Sequence, residues 1–280
     1  MQIVDPTQGY CEELALLPGS QFEFTSRFLS GGQLKPLLPL YALKQAVGTI
    51  PHAPVEDSVK WAKLKWWSEE FSADPVSSSR HPVLRALWLS GARNHLNEAL
   101  LQRLIKSAIT QIDVAPSSDD KAMFEQLSAL GATDILLELA LEEAEIESQR
   151  LNYLGAATNL FHMIFSLSTD QPSGIAQLPL SLLAKYNIRS EQLEQEPFPV
   201  GFAGLAGELA EIGLEWFEKG SAGMDESLKP GVCTHLQLRL AMENRALIKI
   251  GKNTDSVFKQ ANRYGPADAW FAWRFLRRLK

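Results

Sequence analysis

The sequence predicts an all-α protein with a single domain, and three observations lead to this prediction. Apolar residues recur at helical spacing along most of the chain, and no run of strand length alternates between apolar and polar residues. Segments rich in Pro, Gly, Ser and Asp separate the apolar stretches, as in SADPVSSSRHP at 72–82. The chain has 280 residues, 45% of them hydrophobic, which is enough to bury one large core.

The individual helices are predicted from apolar spacing, caps and turn residues. Residues 1–20 are expected to be irregular because prolines and glycines interrupt them. Pro39 is expected to disturb the second helix, since proline lacks the amide donor. The predicted helices cover 22–30, 34–47, about 57–71, 83–90, 97–112, a segment from Asp119 or Asp120 onward, 132–165 with a break near Arg150, a segment from Pro179 onward, 205–219, 236–250, 256–262 and 268–280.

The stretch from Leu151 to Leu183 is the most informative part of the chain. It begins as a mostly apolar helix that contains small residues, and near Ser166 it opens into a polar loop with Asp170 and Gly174. A second helix is predicted from Pro179 onward. A buried helix that opens into a polar loop is where a helical bundle can place a functional site.

Composition excludes several classes of protein. The net charge of −6 argues against nucleic acid as the main partner. No apolar run reaches the roughly 18 residues that a membrane span needs, and the N-terminus lacks the pattern of a signal or transit peptide. Cys11 and Cys233 form neither a disulfide framework nor a metal-binding spacing, so a reducing cytoplasm is the expected location.

Residues of the 151–183 stretch resemble the second signature of the squalene/phytoene synthase family. Gly155, Ala157, Gly174 and Leu178-Pro179 stand where that signature has them. Further segments also resemble the family: Lys35 before Leu40-Tyr41-Ala42-Leu43, the tryptophans Trp61, Trp66 and Trp67, His81-Pro82-Val83, and VFKQANRYGPADAW near the C-terminus. The resemblance covers about residues 22–275. It implies an isoprenoid-synthase-type helical bundle that spans 1–280 as one domain, with a basic, aromatic tail at 268–280.

The same resemblance shows departures at the positions that carry the family's chemistry. Gly48 and His52 stand at the first pair of carboxylates, and Ser166 replaces one of the second pair. Only Asp170 remains, and Ile175 replaces an arginine that would hold diphosphate. In the second signature Asn159 stands at a glutamine and His162 at an asparagine. Ionising a prenyl diphosphate requires Mg²⁺ held by several carboxylates. We therefore expect no head-to-head prenyl transfer, and Mg²⁺ is expected as a cofactor only if the chain is an enzyme.

Five residues are candidates for ligand binding within this framework. They are Lys35, Tyr41, Asn159, His162 and Asp170, and none is predicted to be catalytic beyond Asp170 as a remnant. His162 is expected to be hydrogen-bonded in the interior or to line a cavity, with acid–base or ligand contact as the alternative. The remaining histidines show no metal-ligand spacing, so no metal site is predicted.

Other carboxylates that could replace the missing pairs are interpreted as solvent-facing. Glu138 and Glu142 are four residues apart, and so are Glu143 and Glu147. Charged runs on helices usually face water, which favours a solvated acidic face. The glutamates from Glu208 to Glu218 are interpreted in the same way, because apolar residues occupy the opposite side of that helix.

The tail AWFAWRFLRRLK allows two interpretations. On a helical wheel, one half holds the apolar residues Phe271, Ala272, Trp273, Phe275, Leu276 and Leu279. Residues 270–280 carry four basic and no acidic side chains, and the basic residues share the other half. One interpretation is peripheral contact of Trp270–Lys280 with an anionic membrane. The other is a terminal helix that packs its aromatic residues on the bundle and places its cations near the helix C-terminus, where the helix dipole favours them.

Three functions therefore stay open after the sequence alone. The first is a non-catalytic binding or assembly protein, similar to the complex I assembly factor branch of the family. The second is a transferase that condenses isoprenoid diphosphates through a rearranged metal site. The third is a carrier of an isoprenoid or another lipid in the bundle cavity. The missing carboxylates favour the first and third functions, with a protein or a lipid as partner and no nucleic acid.

Overall fold

The computed structural model describes residues 6–72, 81–112, 117–166, 178–193, 198–223, 232–253 and 264–279. Throughout these ranges the regular structure is helical, and no β-strand occurs. The α-helices are α1 (Pro6–Ala15), α2 (Gln21–Ser26), α3 (Gly31–Gly48), α4 (Asp57–Ser72), α5 (Pro82–Leu89), α6 (Glu98–Ile109), α7 (Asp120–Leu141), α8 (Ser148–Ser166), α9 (Leu180–Lys185), α10 (Phe202–Ser221), α11 (Thr234–Lys252) and α12 (Pro266–Arg278). Short 3₁₀ turns lie at Ala92–Asn94 and Ser190–Leu193.

Two large apolar cores organise the bundle. One core lies among α7, α8, α10 and α11, with fully buried residues such as Phe161 and Phe202. The other lies among α1, α3, α4, α5 and α6. Helix α7 joins them, because Ile135 faces the first core and Leu137 faces the second. The prediction of an all-α, single-domain fold is confirmed.

Helices α7 and α8 approach each other closely where both carry a glycine. Gly131 of α7 and Gly155 of α8 face each other, and a Cβ added to either would overlap the backbone of the opposite helix. Small residues let helix backbones come close, which increases packing between the helices. The crossing places the polar faces of α7 and α8 beside α11.

Helix α3 contradicts the expectation that Pro39 would disturb it. The helix is continuous from Gly31 to Gly48 with Pro36 and Pro39 inside it. Its start is fixed by a capping box, in which Ser30 and Gln33 exchange side-chain and backbone hydrogen bonds. Seven buried apolar residues along the helix compensate for the two missing amide donors through tertiary packing.

Two other predictions about the elements were wrong. The N-terminal segment is not irregular throughout, because Pro6–Ala15 is a helix whose Cys11 and Ala15 are buried in the second core. Proline is compatible with the first turn of that helix. The break in the predicted 132–165 helix comes at 142–147 and not at Arg150. There Glu143 adopts a left-handed backbone with φ of 51°, which ends the helical path.

A cap predicted at Asp119 or Asp120 is confirmed at Asp119, whose side chain accepts a hydrogen bond from the Ala122 amide. The helix predicted from Asn97 begins at Glu98, and the Asn97 side chain caps it by accepting a hydrogen bond from the Leu100 amide. The predicted helix at 256–262 lies outside the described residues. Among the described helices, none is both long and apolar enough to cross a membrane.

Candidate functional site

A large open cavity lies between α1, the C-terminal end of α3, the turn after it, and α4. Its volume is about 1080 Å³. The lining residues are mostly apolar or aromatic, with several polar groups and one cation, Lys63, between them: Tyr10, Leu14, Gln45, Ala46, Gly48, Thr49, Ile50, His52, Ala53, Pro54, Val59, Ala62, Lys63, Trp66, Trp67, His81 and His162. Such a volume and lining suit a sizeable apolar molecule.

Positions from both signature segments meet at this cavity. Gly48 and His52 line it from the end of α3, and His162 lines it from α8. Gly48 is the last residue of α3, whereas His52 lies in the turn that follows. The two positions therefore do not share a helical face, although residues four apart within a helix would.

Three of the polar groups that line the cavity are imidazoles, those of His52, His81 and His162. Burial lowers the pKa of His52, and burial also lowers the pKa of His81. His81 additionally caps α5, since its Nδ1 accepts a hydrogen bond from the Val83 amide at 3.3 Å. Trp67 packs against the His81 ring with 4.6 Å between the centroids. These contacts make the inner wall of the cavity apolar and uncharged around these two histidines.

A cluster of buried charges lies where α3, α7 and α11 meet. Glu138 is 3% exposed, and its Oε1 accepts a hydrogen bond from the Tyr41 hydroxyl at 2.7 Å. The Lys44 Nζ lies 3.4 Å from the same oxygen, and the Arg239 Nη2 lies 3.0 Å from it. Lys44 and Arg239 also pair with Asp134, which is partly exposed. Two cations thus face two carboxylates.

His235 extends this cluster toward α2. Its Nδ1 lies 2.7 Å from Glu138 Oε2, and its Nε2 lies 3.0 Å from the hydroxyl of Thr25. Because an ionised carboxylate only accepts hydrogen bonds, the Nδ1 of His235 carries the proton between them. The aromatic rings of Phe22 and Tyr41 stack at 3.8 Å and meet the imidazole edge-on, and they help to bury His235.

Glu243 connects the cluster to α8 and to the cavity. Its Oε1 lies 3.2 Å from Arg239 Nη1, and its Oε2 accepts a hydrogen bond from the Thr158 hydroxyl at 2.8 Å. The same Oε1 lies 3.9 Å from Nε2 of His162, a residue that lines the cavity. His162 is therefore the link between the charged interior and the apolar cavity.

The three carboxylates of the cluster differ in their proton affinity. The pKa of Glu138 lies well below its ordinary value, because Arg239 and Lys44 outweigh the effect of its burial. The pKa of Asp134 is lowered by the same two cations. Burial raises the pKa of Glu243, because the single contact with Arg239 offsets it only in part. Burial also raises the pKa of Tyr41.

The structure brings only some of the predicted site residues together. Tyr41 belongs to the charge cluster, and His162 lines the cavity as expected. Asn159 instead donates to the Leu127 carbonyl at 3.0 Å and so ties α8 to α7. Lys35 is exposed and lines a different, smaller cavity beside α1 and α5. Asp170 lies outside the described residues.

The interpretation of Glu138 as a solvent-facing residue was wrong. Glu138 is buried because Lys44, Arg239 and His235 surround its carboxylate, while its helical neighbour Glu142 is exposed. The interpretation holds for Glu143 and Glu147, which are exposed, and for most of the acidic stripe of α10. Glu208 is the exception within that stripe, since it is half-buried between Lys185 and the hydroxyl of Tyr186.

Sequence reasoning missed most members of the cluster: Lys44, Asp134, Thr158, His235, Arg239 and Glu243. One signal was present, because His235, Arg239 and Glu243 recur every four residues among leucines and so share a helix face. Spacing of this kind shows that the three residues share a face, and the structure shows that this face is buried. In the described part of the chain, no group of three or more His, Cys, Asp or Glu residues could hold a metal ion.

The all-α bundle around this cavity has the isoprenoid synthase fold. The family description squalene/phytoene synthase matches residues 18–266, and the chain therefore belongs to the squalene/phytoene synthase family. A dehydrosqualene synthase solved in complex with ligand has a similar structure, with a TM-score of 0.74 at 15% identity over 98% of this chain and 95% of that chain.

A second solved structure is also similar. It is squalene synthase HpnC from Alicyclobacillus acidocaldarius, with a TM-score of 0.68 at 14% identity over 88% of this chain and 93% of that chain. At 15% and 14% identity, the similarity to these two structures shows a shared fold and nothing further. No curated protein matches the chain at a significant level.

Proposed function

We propose that this chain is a non-catalytic member of the squalene/phytoene synthase family that acts as a binding or assembly protein. The observation that carries the proposal is the chemistry of the cavity wall. Gly48, His52 and His162 stand at signature positions and line the cavity, and its described lining contains no Asp or Glu. Mg²⁺ prefers oxygen ligands, above all carboxylates, so imidazole and glycine do not fit this ion.

The buried carboxylates nearby do not replace the missing metal ligands. Asp134 and Glu138 already face Lys44 and Arg239, so their charge is neutralised within the protein. A Mg²⁺ ion would have to displace Arg239, which is buried, and leaving this cation unpaired in the interior costs roughly several kcal/mol. The cluster therefore supports a structural role between α3, α7 and α11.

Calorimetric titration with a non-hydrolysable farnesyl diphosphate analogue tests the proposal. We expect no Mg²⁺-dependent binding and no Mg²⁺-dependent turnover of farnesyl or geranylgeranyl diphosphate by the purified protein. The family's dehydrosqualene or squalene synthases serve as positive controls under the same conditions. Tight binding that requires Mg²⁺, or formation of product, would contradict the proposal and support the prenyltransferase alternative.

A carrier function for an isoprenoid or another lipid is the second candidate, and the cavity favours it. Trp66, Trp67 and Tyr10 supply a broad aromatic wall, and burial keeps His52 and His81 uncharged near neutral pH. Such a wall suits an uncharged, apolar ligand better than a diphosphate. Mass spectrometry of solvent extracts should then find a lipid that copurifies with the protein in stoichiometric amount.

A further inference from the structure

Helix α12 is anchored to the bundle along one face only. Ala272 is fully buried, and the half-buried Phe271 and Phe275 pack with it against Leu238 and Met242. Asp268 is buried on the same face and pairs with Arg245 and Lys249 of α11. The aromatic residues Phe271 and Phe275 thus already have partners within the protein.

The opposite face of α12 is exposed and carries only tryptophan and arginine side chains beyond its first turn. Trp270 is 58% exposed and Trp273 is 50% exposed, and Arg274, Arg277 and Arg278 are exposed beside them. The grouping of Trp273 with the packed apolar residues, made from the helical wheel, was therefore wrong. The packing face is centred near Ala272, and Trp273 falls at its outer edge.

Each exposed tryptophan lies against an arginine. The guanidinium carbon of Arg274 is 5.2 Å from the centre of the Trp270 ring, and that of Arg277 is 4.7 Å from the centre of the Trp273 ring. The cation–π contact keeps both partners at the surface in one orientation. The result is a stripe of aromatic surface bordered by positive charge, with no exposed carboxylate in the helix.

This surface differs in charge from the rest of the molecule. Because the chain carries −6 and residues 270–280 carry +4, the remainder carries −10. An anionic surface would repel most of the protein and attract it at α12. Tryptophan prefers the interface between headgroups and acyl chains, and arginine binds lipid phosphates.

We propose that the outer face of α12, formed by Trp270, Trp273, Arg274 and Arg277, docks the protein on an anionic lipid bilayer. The helix lies along the membrane surface, with its packed face still on the bundle. The arginines contact lipid phosphates, and the two indoles enter the headgroup region. This orientation is peripheral and reversible, because a single short helix buries little area in the lipid.

Sedimentation of the full chain with vesicles tests the proposal. We expect binding to phosphatidylcholine vesicles that contain about 30% phosphatidylglycerol, and at least about tenfold weaker binding to pure phosphatidylcholine. The double variant Trp270→Ala/Trp273→Ala should lower the partition coefficient on anionic vesicles at least about tenfold. The variant Arg274→Gln/Arg277→Gln should lower it similarly and should reduce its dependence on salt.

Two matched controls test whether loss of any exposed tryptophan, or of any two exposed cations, would weaken vesicle binding as the α12 variants do. Trp61→Ala removes a tryptophan of α4 whose side chain is 43% exposed. Lys65→Gln/Lys121→Gln removes two exposed cations that lie on α4 and α7. Both controls should bind vesicles as the unchanged chain does. Circular dichroism of every variant should show unchanged helix content.

Three outcomes would overturn the proposal. One is equal loss of binding in the controls and in the α12 variants, and another is no binding of the unchanged chain to anionic vesicles. The third is a change from dimer to monomer in Trp270→Ala/Trp273→Ala by analytical ultracentrifugation with vesicle binding intact. That third result would assign the α12 surface to a second copy of the chain.

Discussion

Glu138 on α7 and His235 on α11 are 97 residues apart in the chain, and their side chains meet in the interior at 2.7 Å. Both residues are buried, and the contact joins the two ends of the charge cluster. On one side Thr25 holds the imidazole, and on the other Arg239 and Lys44 hold the carboxylate. The contact between Glu138 and His235 therefore depends on two cations, one on α11 and one on α3.

Removal of the central cation should destabilise the protein strongly. Arg239→Met is expected to lower the free energy of unfolding by about 3–5 kcal/mol, since Asp134 and Glu138 would lose their main counter-charge inside the bundle. Urea denaturation followed by circular dichroism measures this change. Arg27→Met is the control, because Arg27 is exposed and pairs only with Glu23. A loss below about 1 kcal/mol in Arg239→Met would contradict a structural role of the cluster.

Stability should fall in acid because of the cluster. The pKa of Glu138 is well below its ordinary value of 4.5, and the pKa of Asp134 is below its ordinary value of 3.8. At acidic pH the folded state therefore binds fewer protons at these two groups than the unfolded state does. Their contribution is fully present above pH 4.5 and is lost as the pH falls through the lowered values. Glu243, whose pKa is raised, acts in the opposite direction and softens the change.

The urea midpoint measured between pH 3 and pH 6, in roughly half-unit steps, checks this dependence. Glu138→Gln should flatten the curve, because one of the two carboxylates with lowered pKa is gone. Glu211→Gln, on the exposed face of α10, should leave the slope unchanged. An identical slope in Glu138→Gln and the unchanged chain would show that other groups cause the acid sensitivity.

The crossing of α7 and α8 should not tolerate a methyl group. Gly155→Ala places a Cβ against the backbone of Gly131 and Ala132, and we expect a loss of about 1–3 kcal/mol. Gly251→Ala is the control, since a Cβ at this helical position meets no atom within 4 Å. It should stabilise the chain by up to about 1 kcal/mol. Equal thermal midpoints for the two variants would contradict the close approach.

Filling the cavity should abolish ligand binding without loss of the fold. Ala62 is exposed and lines the cavity from α4, so Ala62→Trp can occupy that volume. We expect affinity for farnesol, used as a neutral apolar probe, to fall at least about tenfold by fluorescence titration. Ala129→Trp, at an exposed position of α7, should leave the affinity unchanged. Equal affinity in Ala62→Trp would place the ligand elsewhere.

The sequence by itself determined the helical class, the helix starts near Asn97 and Asp119, and the resemblance of the segment around Gly155 to the squalene/phytoene synthase family. These features depend on the spacing of apolar residues and on hydrogen bonds between residues close in the sequence. They can therefore be predicted without the tertiary structure. The departures at Gly48, His52 and Ser166 were identified from the same resemblance, because each stands where the family's signature has a carboxylate. The close approach of Gly131 to Gly155 was not predicted, because it depends on how α7 packs against α8.

Only the tertiary structure decided which charged residues are buried. Spacing of four shows that Asp134 and Glu138 share a helix face, but it does not show whether water or Arg239 lies opposite that face. The cations that face these carboxylates come from segments about a hundred residues away in the sequence. Whether the carboxylates meet cations or water therefore depends on how the three helices pack. For the same reason the helical wheel placed Trp273 on the packed side, whereas contact with Leu238 and Met242 centres that side on Ala272.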